Sequence, residues 1–362
     1  MRLPLEIFTA FMSLVWLGLM TVNIAGLKSK KENKAYDKSY APKVLIILPC
    51  KGADLTLDSN IKSLKSQDYQ NFMLIGVVDN DQDSAVQLLK DNMVDYIISK
   101  KICEDCSGKV RAISTALETY TCYDVYVIAD SDVEAKKDWL SKLVMPLSDP
   151  AIGISTTFPL FKPKAGFWSK VKMVWGFVGD GMMESTLTRF GWGGSLAFRK
   201  DLLVGKAYDN FKHSISDDIA ITTASKRKGL KINSVKERVA VINSDDDFKR
   251  FWEWSNRQTA LSISGNGKVL YYGIVVYVSG ILLLASAIIM SLLISYAYLL
   301  FLIPFVIGIA KTYKRAGNNA SADLWFIYIL TNFVYLANLI TASRMKTITW
   351  RGNRYSIKDY LR

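Results

Sequence analysis

The chain has 362 residues, half of them apolar, and a formal net charge of +13 at neutral pH. Its positive mean hydropathy is high for a soluble protein of this size, and its four cysteines are too few for the disulfide framework of a small secreted fold. The charge is compatible with nucleic acid, anionic lipid or a phosphorylated substrate as the partner.

Long apolar stretches lie near both ends of the chain. Residues 3–27 carry one acidic residue, Glu6, over roughly the 20 residues that cross a bilayer. Residues 270–310 contain no charged residue and are long enough for two such helices, and 324–342 form a fourth candidate. A cleaved signal peptide is the alternative for the first stretch, which is longer than a typical signal and has no clear cleavage pattern. The sequence thus predicts a multi-pass integral membrane protein with an N-terminal membrane helix over 1–27, a water-soluble domain over 28–264, a C-terminal membrane region over 265–343 and a basic tail over 344–362.

Basic residues beside these stretches predict the orientation of the chain. By the positive-inside rule they place the soluble domain in the cytoplasm, and the residues are Lys28, Lys30, Lys31, Lys34 and Lys38, with Lys311, Lys314 and Arg315 further on. Lysines facing anionic lipid explain much of the net charge, so no nucleic-acid partner is expected. The tail is basic too, yet four simple spans would put it outside. Either one C-terminal segment is re-entrant or interfacial, or the charge rule fails at the last helix.

Apolar runs alternate with helical patterns through the first half of the soluble domain. The predicted strands cover 43–48, 72–78, 96–99 and 124–129, and the predicted helices lie near 58–67, 83–92 and 108–120. This alternation favours an α/β fold with a mostly parallel sheet, in which ligands bind at the carboxyl ends of the strands. The segments 49–52, 79–81 and 130–132 all fall at such ends.

Two aspartates separated by one serine follow the strand at 124–129. Asp130 and Asp132 repel each other unless a cation lies between them, and Mg²⁺ or Mn²⁺ bound to a diphosphate is held by one or two carboxylates. The alternatives are a solvated acidic turn and a helix cap. Asp79 ends another strand, and Lys109 opens a helix where a phosphate would bind. Together these residues favour a site for a nucleotide diphosphate.

One pair of cysteines has the spacing of half a zinc site. Cys103 and Cys106 form a single CxxC, and His213 is the only histidine in the chain. Reduced cytosolic thiols are favoured over a structural zinc site.

Three motifs further along the chain also suit chemistry. The turn 191–195 is rich in glycine, which lets backbone approach a ligand, and Trp192 offers a flat face to a sugar or lipid; a plain tight turn is equally compatible. Asp218 opens a predicted helix, where it either caps the helix or acts as a general base. The stretch 250–258 reads RFWEWSNRQ: either an interfacial belt of tryptophan and arginine, or a segment in which Arg257 stabilises the charge on a departing diphosphate.

An amphipathic helix is predicted near 165–183. Its apolar side chains lie largely on one face and comprise Phe167, Trp168, Val171, Val174, Trp175 and Val178. This pattern favours an interfacial helix that brings the soluble domain to the bilayer surface, with a core helix as the alternative.

These residues resemble the family-2 glycosyltransferases, and more narrowly the ceramide glucosyltransferase branch with its bacterial and archaeal relatives. The resemblance spans about residues 43–260 and the flanking apolar segments, in the same order. The narrower match depends on Pro49-Cys-Lys-Gly52, on Val78-Asp-Asn-Asp-Gln-Asp83 and on Thr349-Trp-Arg-Gly-Asn-Arg-Tyr355. It implies a GT-A-like nucleotide-diphospho-sugar domain: a cytosol-facing, inverting hexosyltransferase that takes its sugar from a nucleotide donor, typically UDP-glucose, to a membrane lipid such as ceramide.

The resemblance also implies roles for individual residues. Asp79 would contact the uridine, Asp130 and Asp132 would hold the sugar diphosphate and a Mg²⁺ or Mn²⁺ ion, and Asp218 would be the base. The full expected set comprises Asp218 and Arg257 as catalytic residues; Pro49, Lys51, Asp79, Asp81, Lys109, Asp130 and Ser131 on the donor side; Asp132 and Asp130 as metal ligands; and Trp192, Gly193, Gly194, Trp254 and Gln258 on the acceptor side.

The chain departs from the family pattern at two motifs. The usual Glu-Asp pair is Asp217-Asp218 here, which makes Asp217 a competitor for the base. The usual closing motif, (Gln/Arg)-x-x-Arg-Trp, reads Trp254-Ser-Asn-Arg-Gln258, which keeps Arg257 and puts the acceptor in doubt more than the reaction.

Three other functions share some of these features. A polyprenyl-phosphate glycosyltransferase has the same fold and donor but attacks with a phosphate, which needs no strong base. A processive polysaccharide synthase needs a translocation channel, for which four spans look too few. A non-enzymatic nucleotide-sugar sensor would bind the donor without turnover.

Overall fold

The computed structural model describes the side chains of residues 6–21, 36, 37, 39–54 and 56–357, and the backbone of one helix over 2–27. The lysines between 28 and 38, on which the predicted orientation depends, lie outside the described residues. The strands are β1 (Val44–Pro49), β2 (Phe72–Val78), β3 (Tyr96–Ile98), β4 (Val125–Ala129), β5 (Val133–Ala135), β6 (Ile152–Thr156), β7 (Leu160–Pro163), β8 (Ser195–Arg199), β9 (Lys231–Ser234), β10 (Ala240–Ser244), β11 (Thr347–Trp350) and β12 (Asn353–Ser356). The α-helices are α1 (Arg2–Leu27), α2 (Leu57–Lys65), α3 (Ala85–Asp91), α4 (Gly108–Thr119), α5 (Trp139–Val144), α6 (Phe167–Glu184), α7 (Lys206–Lys212), α8 (Asp217–Arg227), α9 (Phe248–Gly265), α10 (Lys268–Leu293), α11 (Ile303–Ala316) and α12 (Leu324–Arg344).

A seven-stranded sheet in the order β3-β2-β1-β4-β8-β6-β9 forms the centre of the soluble domain. Strands β3, β2, β1 and β4 run parallel, as predicted from the alternating pattern. Strand β8 runs antiparallel to both of its neighbours, and its register pairs Ser195 with Ala129. The glycine-rich turn that precedes β8 therefore lies beside the carboxyl end of β4.

The central strands are buried on both faces, which explains their continuous apolar runs. In β1, Ile46 packs with Ile61 of α2 on one face, and Ile47 packs with Ile113 of α4 on the other. Successive side chains of a strand point to opposite faces, so one run of apolar residues contributes to two cores.

A smaller sheet in the order β5-β10-β7 continues from the main one. Strand β5 begins one residue after Asp132 and pairs antiparallel with β10. The second aspartate of the predicted metal motif is thus fixed between two sheets.

Three helical segments among the described residues are long and apolar enough to cross a membrane: 268–293, 296–319 and 324–344. The N-terminal helix contributes a shorter apolar stretch over 6–21. Met12 of α1 packs with Leu283 of α10 and Phe305 of α11. The predicted apolar segments are therefore all helical, and α1 lies against α10 and α11.

The apolar face of α6 is covered by other helices. Val171 and Val174 are buried in a cluster with Phe251 of α9 and Ile327 of α12. Phe167, near the start of the helix, is 38% exposed. The face predicted to lie on lipid thus docks the soluble domain onto the C-terminal helices, and its contact with the bilayer stays a prediction.

Helix α12 lies along the soluble domain instead of leading away from it. At its start, Asp323 pairs with Lys170 of α6 at 2.9 Å. In its second half, the buried Asn338 accepts a hydrogen bond from Trp175 Nε1 at 3.1 Å and donates to Asn256 Oδ1 at 2.8 Å. The hairpin β11–β12 follows its end and returns to the loop after β1, where Arg351 donates to the carbonyl of Lys51 at 3.1 Å. Both ends of α12, the second through the hairpin that follows it, therefore contact the soluble domain.

The structure differs from the sequence prediction at the CxxC. Cys103 and Cys106 were expected as reduced thiols, and they are joined as a disulfide with their Cα atoms 5.8 Å apart. That Cα separation is within the usual range for a disulfide.

Replacing Asn338 by alanine is expected to lower the free energy of unfolding by about 1–3 kcal/mol, because buried polar partners on α6 and α9 lose their hydrogen bonds. Thermal unfolding in detergent measures the change. Asn332→Ala is the matched control, since Asn332 donates only to carbonyl oxygens of its own helix. An equal loss of stability in both variants would contradict this role for Asn338.

Candidate active site

The loops after β1, β2 and β4 meet at one edge of the sheet, as their strand ends predict. Pro49 ends β1, and two residues later Lys51 pairs with Asp79 at 3.1 Å. Ser131, between the two aspartates, donates from Oγ to Asp54 Oδ2 at 2.6 Å. Three predicted donor-side segments are thus tied together by polar contacts.

Lys109 is the most highly connected side chain of this edge. Its ammonium lies 2.7 Å from Asp130 Oδ1, 3.0 Å from Asp217 Oδ2 and 3.1 Å from the carbonyl of Gly193. Burial by itself would lower the pKa of Lys109, but the carboxylates of Asp130 and Asp217 outweigh it and raise the pKa. The sequence predicted that this lysine meets a phosphate, and the structure shows it joining the ends of three separate segments.

The glycine-rich turn is shaped by close packing against these acids. A Cβ at Gly193 would collide with Asp217 and lie 3.0 Å from Lys109 Nζ. A Cβ at Gly194 would collide with the Trp192 ring and lie 2.8 Å from Asp130 Oδ2. A side chain at Gly193 would displace Asp217, and one at Gly194 would displace the Trp192 ring, which packs against the turn.

Asp132 and Asp217 each have a buried oxygen that accepts no hydrogen bond, but Asp217 has an ion pair with Lys109, and Asp132 forms none among the described residues. The Oδ1 of Asp132 is buried and accepts no hydrogen bond within the part of the chain that the structure describes. Burial, with Asp130 and Asp54 nearby, raises the pKa of Asp132 to about 7. A buried, unsatisfied carboxylate oxygen fits a divalent cation. No group of three or more His, Cys, Asp or Glu side chains among the described residues would hold a metal unaided, so further ligands would come from a bound phosphate or from water.

The two acids at the start of α8 have different surroundings. Asp217 is 3% exposed, and burial, opposed by Lys109 and aided by Asp218, raises its pKa to about 6. Asp218 is half-buried and accepts a hydrogen bond from the amide of Ile219 at 2.8 Å and another from the hydroxyl of Ser216. Asp217 is thus engaged with Lys109, while Asp218 remains partly accessible beside it.

Arg257 lies on α9 without a carboxylate partner. It forms no ion pair within the described residues, and its guanidinium lies 5.5 Å from the centre of the Trp350 ring. Burial and the nearby Arg351 lower its pKa to about 10, against the opposing effect of Asp132 and Asp130. An unpaired cation close to the two aspartates is suited to bind an anion.

The remaining predicted residues lie further from this centre. Asp79 is held by Lys51 and also by Arg111 at 2.9 Å. Asp81 is exposed and accepts a hydrogen bond from Tyr96 at 3.1 Å, so it is not brought to the acids. Trp254 packs against Phe161 and Trp175 at centroid distances of 5.1 and 4.9 Å, and Gln258 is half-buried one turn later on α9.

Sequence reasoning missed four charged residues of this region. Lys172 is 8% exposed, pairs with Asp246 at 3.0 Å and lies 4.7 Å from the centre of the Trp254 ring. Arg351 reaches the loop after β1 from the end of the chain, and the tail motif was the only sequence signal for it. Asp54 lies in the loop after β1, and Arg111 lies in the first turn of α4. No sequence motif marked either of them.

Fold and site together define a glycosyltransferase with the GT-A fold. The chain belongs to glycosyl transferase family 21, which it matches over residues 8–360, and this confirms the family resemblance seen in the sequence. Over 124 residues it is 31% identical to an N-acetylglucosaminyltransferase of Rhizobium leguminosarum bv. viciae, a match that covers 33% of this chain and only 29% of that protein.

Two solved structures resemble the chain. The mannosyltransferase PcManGT from Pyrobaculum calidifontis, solved with GDP-Man and Mn²⁺, superposes with a TM-score of 0.52 at 15% identity, over 92% of this chain and 97% of that one. At this identity the likeness shows the fold alone. The glucosyl-3-phosphoglycerate synthase from Mycobacterium tuberculosis, solved with Mn²⁺, UDP and glucosyl-3-phosphoglycerate, gives a TM-score of 0.43 at 16% identity, over 64% of this chain and 82% of that one. A likeness this weak supports no argument.

Replacing Lys109 by methionine is expected to lower the free energy of unfolding by about 3–5 kcal/mol at pH 8, because the buried carboxylate of Asp217 loses its cation. The loss should be smaller at pH 5. The raised pKa of Asp217, about 6 against 3.8 for an ordinary aspartate, means that the folded chain binds more protons than the unfolded chain between these values, so stability falls as pH rises. Because Lys109 lowers the pKa of Asp217, its removal raises that pKa further, and the pH range over which stability falls extends upward.

Unfolding in detergent at pH 5 and pH 8 measures this effect. Lys51→Met removes the cation from a pair whose lysine side chain is 37% exposed, and its cost should stay within about 1 kcal/mol at both pH values. A Lys109→Met loss that is independent of pH would contradict the coupling to Asp217.

Proposed function

We propose that this glycosyltransferase is an inverting hexosyltransferase that moves glucose from UDP-glucose to the hydroxyl group of a membrane lipid such as ceramide. The observation that carries the proposal is the separation of the acids. Asp132 keeps an unpartnered buried oxygen, Asp217 is engaged with Lys109, and Asp218 remains partly accessible at the first turn of α8. One acid thus suits a metal, another a structural ion pair, and the third proton transfer.

On the donor side, Asp132 and Asp130 would hold Mg²⁺ or Mn²⁺, and PcManGT with its Mn²⁺ and GDP-Man supports a divalent ion beside a sugar diphosphate. When bound, the ion would neutralise charge on the diphosphate. Lys109 keeps Asp130 in place, and Lys51 and Arg111 hold Asp79 for contact with the nucleoside.

In the transfer step, Asp218 accepts the proton of the acceptor hydroxyl as that oxygen forms a bond to the anomeric carbon. The bond from the anomeric carbon to the diphosphate oxygen breaks on the opposite face, so an α-linked donor gives a β-glycoside. Arg257, which lacks a carboxylate partner among the described residues, stabilises the negative charge of the leaving diphosphate.

The acceptor would approach from the side where the soluble domain meets the apolar helices. Trp192 with the turn Gly193–Gly194 lies beside Asp130, and Trp254 with Gln258 lies on α9 next to α6. These residues are proposed to contact the lipid, because the turn adjoins the acids and Trp254 belongs to the cluster that joins α6 and α9 to α12.

Asp218→Asn is expected to reduce transfer roughly a hundredfold to ten-thousandfold, since a hydroxyl acceptor needs a general base. Purified protein in native lipid would be incubated with radiolabelled UDP-glucose, UDP-N-acetylglucosamine and GDP-mannose, and the lipid products separated by thin-layer chromatography before and after alkaline treatment. Asp209→Asn, at an exposed position on α7, is the control and should retain full activity.

Each contrary result of this assay has a defined meaning. Retained activity in Asp218→Asn would favour a phosphate acceptor, as in the polyprenyl-phosphate enzymes. Retained activity in Asp218→Asn together with loss in Asp217→Asn, in a variant that still folds and binds the nucleotide, would instead move the base to Asp217. No lipid product from any donor would reject the lipid glycosyltransferase.

For the membrane arrangement, we propose that α1, α10 and α11 cross the bilayer while α12 lies at its cytoplasmic surface. This is supported by both ends of α12 contacting the soluble domain, through Asp323 and through the hairpin that follows it. It makes the chain multi-pass and puts the soluble domain, the basic end of α11 and the basic tail on one side. In this arrangement α12 is the interfacial segment that the sequence offered as one explanation of the basic tail.

Single cysteines at Asn318, Tyr296 and Ser356, all exposed positions, test this arrangement after Cys122 is replaced by serine. In sealed vesicles of known orientation, an impermeant maleimide should label Asn318→Cys and Ser356→Cys from the cytoplasmic face and Tyr296→Cys from the other. Labelling of Asn318→Cys and Ser356→Cys from opposite faces would show that α12 crosses the bilayer.

A further inference from the structure

The C-terminal hairpin ends in a turn that is unusual for an arginine. Strands β11 and β12 pair antiparallel, with Trp350 opposite Asn353, so the connection consists of Arg351 and Gly352. Both have positive φ, +50° and +79°. Such two-residue turns favour Asn-Gly or Gly-Gly, and a left-handed conformation is unfavourable for a side chain such as arginine. A strained residue of this kind points to a role for its side chain.

The side chain of Arg351 reaches the loop after β1 and is connected to the aspartate motif. Its Nη1 donates to the carbonyl of Lys51 at 3.1 Å, and its Nη2 lies 2.9 and 2.8 Å from the two oxygens of Asp54. Asp54 in turn accepts the hydroxyl of Ser131 at 2.6 Å. The Asp54 carboxylate therefore links the guanidinium of Arg351 to Ser131, the residue between Asp130 and Asp132.

Other contacts seat the hairpin over the same edge of the sheet. Tyr355 accepts, at its hydroxyl oxygen, a hydrogen bond of 3.1 Å from the amide of Gly108, the residue before Lys109. The Trp350 ring lies against Arg257 of α9. The hairpin thus joins the loop after β1, the start of α4 and α9.

The charges around the hairpin favour an anion between Arg351 and Arg257. Arg257 has no ion pair among the described residues, and the proximity of Arg351 contributes to its lowered pKa of about 10. The two guanidinium groups lie near each other, and only Arg351 has an ion-pair partner, Asp54, among the described residues. A diphosphate would balance the charge of Arg257, and planar guanidinium groups bind phosphate oxygens with paired hydrogen bonds.

We propose that Arg351 is a binding residue for the diphosphate of the nucleotide: it exchanges a bond to Asp54 for a phosphate oxygen, facing Arg257 across the site. This inference rests on the proposed function, since it assumes a nucleotide-sugar donor. It assigns the end of the chain to the donor site and makes the hairpin the cover of that site.

Binding of UDP and of GDP, each with Mn²⁺, to the full chain in detergent tests the proposal by calorimetry. For whichever nucleotide the wild type binds, Arg351→Ala should raise Kd about tenfold or more, as expected for loss of a charge-assisted hydrogen bond. Arg351→Lys should lie between the two. Arg354→Ala is the matched control: this exposed arginine of the same hairpin bonds Thr347 within it, and its Kd should equal that of the wild type.

The Asp54→Asn variant distinguishes two roles of Arg351, binding of phosphate and anchoring of the hairpin. If Arg351 binds phosphate, removing its competing carboxylate should leave Kd unchanged or lower it. If Arg351 only anchors the hairpin, Asp54→Asn should weaken binding as much as Arg351→Ala, which would overturn the proposal. Equal Kd values for the wild type and Arg351→Ala would also overturn it and leave the proposed function standing. Failure of the wild type to bind either nucleotide would reject the proposed donor, and the role of Arg351 with it.

Discussion

The ammonium group of Lys109 holds the site together. It is buried among Asp130, Asp217 and the carbonyl of Gly193, which belong to segments far apart in the chain. A buried cation is stable only with such partners, and the buried carboxylate of Asp217 is stable as an anion only with the cation. The end of β4, the glycine-rich turn and the start of α8 are therefore fixed relative to one another before any ligand binds.

This central ion pair gives neighbouring acids different properties. Asp217 is neutralised by Lys109, whereas Asp132 is left with a buried oxygen that has no partner among the described residues. Asp218, one residue further along the chain than Asp217, stays partly accessible to solvent. When their surroundings give neighbouring carboxyl groups different pKa values, one group can bind a metal while another transfers a proton.

The helices that follow the soluble domain complete the site as well as the membrane region. Asn338 of α12 connects α6 and α9 in a buried hydrogen-bond network, so the hairpin after α12 is delivered to a defined place. There Trp350 meets Arg257, and Arg351 meets Asp54. The packing of the C-terminal helices on the soluble domain and the position of the hairpin β11–β12 are thus consequences of the same contacts.

The sequence alone determined the parallel strands, the acids at their carboxyl ends and the apolar helices, because buried strands and membrane helices are local apolar runs. It also marked Asp130, Asp132 and Asp218 as acids suited to chemistry. Only the tertiary structure decided that Lys109 pairs with two of the acids, that α12 lies along the soluble domain and that β8 is antiparallel. Only it showed that Arg351 reaches a carbonyl 300 positions away. These features depend on contacts between segments far apart in the chain, for which no local pattern exists.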